Sequence, residues 1–336
     1  MKVYSGNFLR DIVSKLIEDG YKVYGAVKTK DYYVFDEIKS GEEISLEYCN
    51  TRKSPKEIVF PENEVLIKYS KWIEEIPIDD SKRAIVGIRP CDAKALTLLD
   101  KVFLNDDFKD PYYEARRKNL LLIGYACNEP GEYCFCESLG LSPFGSEGLD
   151  ILVSDLGDRQ VLEAFTEEGH KVLEMLDVKD ASEEDIKARD ELRDKAVKMF
   201  RRKLEVENLR EILEKNFESD YWEKIALTCV SCGVCTYLCP TCFCFDILDE
   251  GEEEGVRYRA WDSCQFPLYT LESSSHNPRR EKWQRLRNRF YDKFYYMVEK
   301  TGEIFCVGCG RCIEACPMGI DITEVLNGLR EGGESK

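Results

Sequence analysis

The sequence predicts two domains: a mixed α/β (α+β) domain over residues 1–217, and a cysteine-rich domain over 218–336 that carries a helical insertion at 240–305. Three observations predict this. Apolar runs in strand–helix–strand order fill residues 84–126, the unit from which parallel sheets are built. A highly charged stretch at 182–217 separates the two halves. Beyond it, one cysteine spacing occurs twice, the only internal repeat in the chain.

Taken in order, Phe8, Ile12, Leu16 and Ile17 fall on one helical face, and YKVYGAVKT and YYVFDEI follow as strands. EIVFP and EVLIKYS are further strand candidates. RAIVGIRP and NLLLIGYA are apolar enough to be buried strands, with the helix DAKALTLLDKVFL between them. They end at Cys91 and Cys127, and ligands of such sheets gather beyond the carboxyl ends of the strands. GLDILVSDL and QVLEAFT read as another strand pair. Ile186, Leu192, Phe200, Leu204, Leu209, Leu213 and Phe217 make a helical stripe, predicting one or two long surface helices over 182–217.

Of the 336 residues 43% are hydrophobic, enough for a packed core. The net charge of −17 argues against nucleic acid, whose binding draws its affinity from neutralised phosphates. It suits a soluble subunit that docks on a basic partner. No apolar stretch approaches the roughly 20 residues of a membrane span, and the start MKVYSGNFLRDIVSKLIEDG does not resemble a secretory signal. A cytoplasmic, membrane-free protein is expected. In that compartment 16 cysteines point to metal ligands rather than disulfides.

The repeat is C-x2-C-x2-C-x3-C-P: Cys229, Cys232, Cys235, Cys239 and Pro240, then Cys306, Cys309, Cys312, Cys316 and Pro317. Three thiolates three residues apart wrap one iron–sulfur cubane, and the fourth, followed by Pro, reaches the other cluster. The expected wiring is therefore crossed. Cys229, Cys232, Cys235 and Cys316 hold the first [4Fe–4S] cluster; Cys306, Cys309, Cys312 and Cys239 hold the second. The domain class is a bacterial-type dicluster ferredoxin-like one. A zinc ribbon uses two C-x2-C pairs, not triplets with a distal Cys-Pro. Gly233, Gly308 and Gly310 suit the tight turns this requires.

Cys91, Cys127, Cys134 and Cys136 form a second constellation, open to a third [4Fe–4S] cluster, a four-thiolate zinc site or unliganded core thiols. Cys242, Cys244 and Cys264 read as buried thiols, as ligands with a fourth from elsewhere, or as part of a partner's site. Cys49 is isolated and reads as structural. His170 reads as solvated. His276 opens the HNPR segment and reads as a cap. In HNPRREKWQRLRNRFYDKFYYMVEK, Trp283, Phe290, Phe294 and Tyr295 read as core and the arginines as an exposed face. Alternatively, arginines beside an anionic cluster would stabilise its reduced state.

GIRPCDAKAL, CNEPGEYCFC, the first repeat with its PTCFC extension, RAWDSCQF, HNPR and CVGCGRCIEACP together resemble the β subunit of soluble archaeal [NiFe] sulfhydrogenases. The same pattern is similar to the iron–sulfur electron-transfer subunit of anaerobic sulfite reductases. The resemblance covers residues 84–325, weakly at 145–220. It implies a relay subunit with no catalytic residue of its own. Such a subunit passes electrons between a catalytic partner and a flavin-bearing NAD(P)H diaphorase subunit. The catalytic partner is either the small and large [NiFe] hydrogenase subunits or a sirohaem sulfite reductase subunit. The alternative of another class is a protein that uses a cluster only as a structural staple. No G-x-G-x-x-G opens a helix after a strand, so the chain lacks that signature for a nicotinamide or FAD of its own.

Overall fold

The computed structural model describes residues 1–332. Its strands are β1 (Lys2–Tyr4), β2 (Lys22–Lys28), β3 (Tyr33–Ile38), β4 (Asn63–Tyr69), β5 (Ile73–Glu75), β6 (Arg83–Ile88), β7 (Leu120–Tyr125), β8 (Ile151–Asp155), β9 (Gln160–Ala164), β10 (Lys179–Asp180), β11 (Phe245–Gly251) and β12 (Gly255–Trp261). Two units emerge. The first comprises residues 1–59, 79–201 and 307–309; the second comprises 60–78, 202–306 and the chain from Gly310 onward. Among the described residues, no helix is long and apolar enough to cross a membrane.

The first unit is built on an eight-stranded sheet, ordered β10-β1-β9-β8-β7-β6-β2-β3. Its centre, β2, β6, β7 and β8, is parallel. The expected strand–helix–strand unit is β6, the helix Pro90–Phe103 and β7, paired from Arg83 opposite Leu120. Every residue of β6 is buried, as befits a strand covered on both faces. The helix Phe8–Glu18 lays Phe8, Leu9, Ile12, Val13 and Leu16 against Val23, Val86, Ile123 and Val153 of the sheet. Each such side chain contributes about 1.5–3 kcal/mol on burial.

Two expectations fail here for visible reasons, and a third, of one or two long helices over 182–217, is met by two helices of which one is short. EIVFP is not a strand: Pro55 opens a 3-10 turn over Pro55–Ile58, and Ile58, Val59 and Phe60 are buried from irregular backbone. The 182–217 stripe is broken into the helices Glu183–Val197 and Leu209–Lys215, the second starting after Asn208 at φ 54°. The HNPR segment does not open a helix. Asn277 accepts from Arg279 N (3.0 Å) and donates to Pro267 O (2.7 Å), and Pro278 disfavours helical geometry before it. The helix therefore begins at Lys282, and His276 lies exposed in a turn. His170 is exposed, as expected.

The second unit carries the four-stranded sheet β11-β12-β4-β5. The insertion at 240–305 is thus not wholly helical, because it holds the β11–β12 hairpin, and β12 pairs with β4. After an irregular stretch over 262–281, the insertion continues as the helix Lys282–Tyr291, a π-helical stretch Asp292–Tyr296 and the helix Met297–Thr301. Trp222, Phe290 and Tyr291 pack at the centre with rings 5.4–5.6 Å apart. Of the expected aromatic core, Phe290 and Phe294 are buried while Trp283 and Tyr295 are half-buried. The arginine face is not exposed. Arg285, Arg287 and Arg289 are all buried; Arg285 donates to the carbonyls of Gln265 and Arg279, and Arg287 to that of Phe217.

Candidate iron–sulfur centres

The two cysteine repeats fold alike. Ser231 and Gly308, at the same repeat position, both have left-handed φ (54° and 62°). Gly233 and Gly310 follow at 74° and 78° and start the short helices Val234–Tyr237 and Arg311–Glu314. These turns curl the chain so that successive cysteines face inward.

In the second unit, Cys229, Cys232, Cys235 and Cys316 line one cavity, with about 510 Å³ not filled by protein atoms. Three come from the first repeat and one from the second. Cys312, Arg289, Phe290 and Leu286 complete its wall. Backbone N–H groups already point at sulfur: Ser231 N donates to Cys229 Sγ (3.4 Å) and Ile320 N to Cys316 Sγ (3.3 Å). Burial raises the Cys235 thiol, with the Arg289 charge opposing it.

A second gathering in this unit is Cys239, Cys242, Cys306 and Cys312 around two buried cations. Cys312 is pushed up to about 12 by burial, against the pull of Arg289 and with Cys306 and Cys239 nearby. Cys239 is held well below the usual thiol range by a hydrogen bond from Cys242 and by the charges of Lys293 and Arg289; Cys242, the donor, is raised. Cys244 and Cys264 form a separate pair, in which the hydrogen bond from Cys264 and another from Tyr269 lower Cys244 to about 7.

In the first unit, Cys91, Cys127, Cys134 and Cys136 line another cavity. The strand ends deliver them as the topology demands. Cys91 sits in the first turn after β6, and Cys127 follows β7 with its N–H bonded to Pro143 O (2.9 Å). Two thiols join them that the sequence did not point to. Cys49 Sγ lies 3.7 Å from Cys134 Sγ and accepts from Gly131 N (3.1 Å). Cys309, the middle thiol of the second repeat's triplet, belongs to this unit and lines the same cavity. Its carbonyl accepts from Asn50 Nδ2 (2.5 Å) and Cys134 Sγ (3.6 Å). Burial raises the Cys91 and Cys136 thiols and lifts Cys127 to about 11; hydrogen bonding to Cys49, then burial, raises Cys134.

Among the described residues, no three His, Cys, Asp or Glu side chains are gathered as for a single metal ion. Both cavities are instead walled by thiols from several directions, with N–H donors at their sulfurs. That donor set fits an iron–sulfur cluster. Because burial raises Cys235, Cys312, Cys91, Cys127 and Cys136, loading such a centre displaces protons.

Comparison with known proteins agrees. A family model described as a 4Fe-4S dicluster domain matches residues 228–320. The chain is 38% identical to "Sulfhydrogenase 2 subunit beta" of Pyrococcus furiosus, over 99% of this chain and 98% of that protein. This chain belongs to the sulfhydrogenase β-subunit family. No solved structure matches it. The alignment with that relative takes in the residues of the first-unit cavity as well as the dicluster region.

Proposed function

We propose that the chain is the iron–sulfur relay subunit of a hydrogenase-type complex. It would carry electrons between [NiFe] small and large subunits and a flavin/NAD(P)H diaphorase subunit. The observation that carries this is the convergence of Cys229, Cys232 and Cys235 with Cys316 on one cavity, in a chain kin along its whole length to a sulfhydrogenase subunit. Those four thiolates would hold the first cluster. Cys239, Cys306 and Cys312 would contribute to the second, and Cys91, Cys127, Cys134 and Cys136 to a third. The clusters supply one-electron transfer, for which the protein sets potential and access. This chain's residues supply deprotonated thiolates, N–H donors to sulfur and a dry surround.

Iron and acid-labile sulfide counts on anaerobically purified protein test the reading. About 12 Fe per chain is expected, and about 8 would remove the third cluster. Colourless protein carrying zinc would sink the relay altogether. Copurification from native extract with a flavoprotein and a nickel protein is expected; recovery with a sirohaem protein would move the chain to sulfite reduction. Ser substitution at Cys242 and at Cys309 identifies the fourth thiol of the second cluster by which variant loses it.

A further inference from the structure

The helix Lys282–Tyr291 and the π-helical stretch after it carry two buried cations one turn apart, Arg289 and Lys293. They are 5% and 2% exposed. Lys293 is bonded: its Nζ donates to Thr241 Oγ1 (2.9 Å) and Phe305 O (3.1 Å). Arg289 is not. Its Nη1 is buried with no hydrogen-bond partner, and among the described residues no carboxylate pairs with it. It lines the cavity of Cys229, Cys232, Cys235 and Cys316.

A buried guanidinium with an idle N–H is costly unless an anion stands beside it. The groups that act most strongly on Arg289 are sulfurs. Burial works against its charge, and the thiols of Cys235, Cys312, Cys242 and Cys239 outweigh that burial and hold the proton on. Cys235 belongs to the first cluster's proposed ligand set; Cys312 and Cys239 belong to the second's. The thiols that act most strongly on Lys293 are Cys239, Cys242 and Cys306. Asp292, the acid on this stretch, is half-buried; burial raises its carboxyl while the charges of Lys293 and Arg289 pull it down, so it too meets Arg289. The π-helical turn, a feature that recurs at functional sites, contains Lys293 and begins three residues after Arg289.

We propose that Arg289 is a shared potential-tuning residue for both ferredoxin-type clusters, donating its idle N–H to cluster sulfur or thiolate, while Lys293 tunes the second cluster alone. The inference rests on the relay reading above. A cluster that gains an electron gains negative charge, so a fixed cation in a low-dielectric site favours its reduced form. A fixed charge acts on each cluster additively, so one cation between two clusters stabilises the reduced form of both. Arg289 thus raises both ferredoxin-type potentials together.

The test is potentiometric EPR on full-length, anaerobically prepared Arg289→Gln, Arg289→Lys and Lys293→Gln, each with its iron and sulfide count. Arg289→Gln is expected to lower both ferredoxin-type potentials, each by at least tenfold in the reduction equilibrium, about 59 mV for one electron. Arg289→Lys keeps the charge and is expected to recover most of that shift. Lys293→Gln is expected to lower only the second cluster's potential. Unchanged potentials in Arg289→Gln overturn the proposal. Equal shifts in the Gln and Lys variants also overturn it, since shape rather than charge would then be at work. Should Arg289→Gln fail to hold iron while Arg289→Lys holds it, the charge requirement stands; should neither hold it, Arg289 is a packing residue and the proposal falls. Wild-type protein without clusters would instead defeat the relay reading, a result visible before any variant is made.

Discussion

The two thiol-rich regions use the same ligand in opposite ways. In the second unit the cysteines are local: two eleven-residue repeats, each curled by left-handed turns, present thiols in sequence order. In the first unit they are topological. Cys91 and Cys127 are neighbours only because β6 and β7 are parallel neighbours, and Cys49 arrives from a separate loop. Their electrostatics differ as well. Arg89, the buried cation of the first-unit region, is stacked between Tyr48 and Tyr125 with ring centroids 4.5 and 4.8 Å away. Its Nη1 donates to Ala126 O (2.9 Å) and Tyr125 O (3.3 Å), so much of its donor capacity goes to backbone. Arg289 keeps its Nη1 for the cavity. Arg89 Nε is likewise buried without a partner, and Cys127 and Cys49 act on its charge, so both regions set a buried guanidinium beside thiols; what differs is that Arg89 also bonds the backbone that follows β7.

The largest effect that would break this comparison is cluster loss. Cys316→Ala should cost about four irons per chain and remove the EPR signal of the first cluster, whose other proposed ligands lie some eighty residues earlier. Loss confined to the cluster of the second repeat would show that the repeats are not crossed. Cys127→Ala should cost a similar amount of iron but leave both ferredoxin-type signals in place, if the first-unit cavity is an independent centre. Disappearance of the ferredoxin-type signals in that variant would show that the regions do not load separately.

A smaller effect is expected at Gly308. Its φ is 62°, and an added Cβ would stand 2.5 Å from Cys136 N and 2.6 Å from Cys136 Cα. Both the left-handed backbone and the clash against main chain penalise a side chain, together about 2–4 kcal/mol. Gly308→Ala should lower the thermal midpoint by several degrees and disturb the first-unit centre most, since Phe135 N donates to Gly308 O (2.8 Å). Gly302 also has a left-handed φ (77°), but its Cβ would meet nothing, so Gly302→Ala carries only the backbone cost and serves as the control.

How far the sequence foretells the sites follows the same division. The spacing of the repeats is enough to bring Cys316 to the first repeat's triplet, because a short motif fixes its own geometry. The parallel β6–β7 unit is legible from two apolar runs, and with it the approach of Cys91 and Cys127. The β11–β12 hairpin is not, because FDILDEG is almost wholly exposed and charged and offers no apolar alternation to read. The buried arginines read as a solvated face, since nothing in a helical pattern tells a guanidinium that meets carbonyls or sulfur from one that meets water. Cys49 has no motif around it at all; only the packing of its loop brings it to Cys134.

That contact yields the smallest expected effect. Two thiols 3.7 Å apart are too close to serve two different irons of one cubane, yet close enough for either to serve the same one. Cys134, whose neighbours Gly131 and Cys136 are fixed by the loop, is the proposed ligand; Cys49 is the reserve. Cys49→Ala should then leave the iron count unchanged and shift only the lineshape of the first-unit centre. Cys134→Ala should keep most of its iron by moving the bond to Cys49, and the double variant should lose about four irons, far more than the two single losses combined. Additive losses would mean that the two thiols do not stand in for each other, and the first-unit site would then owe its ligands to strand ends and the 131–136 loop alone.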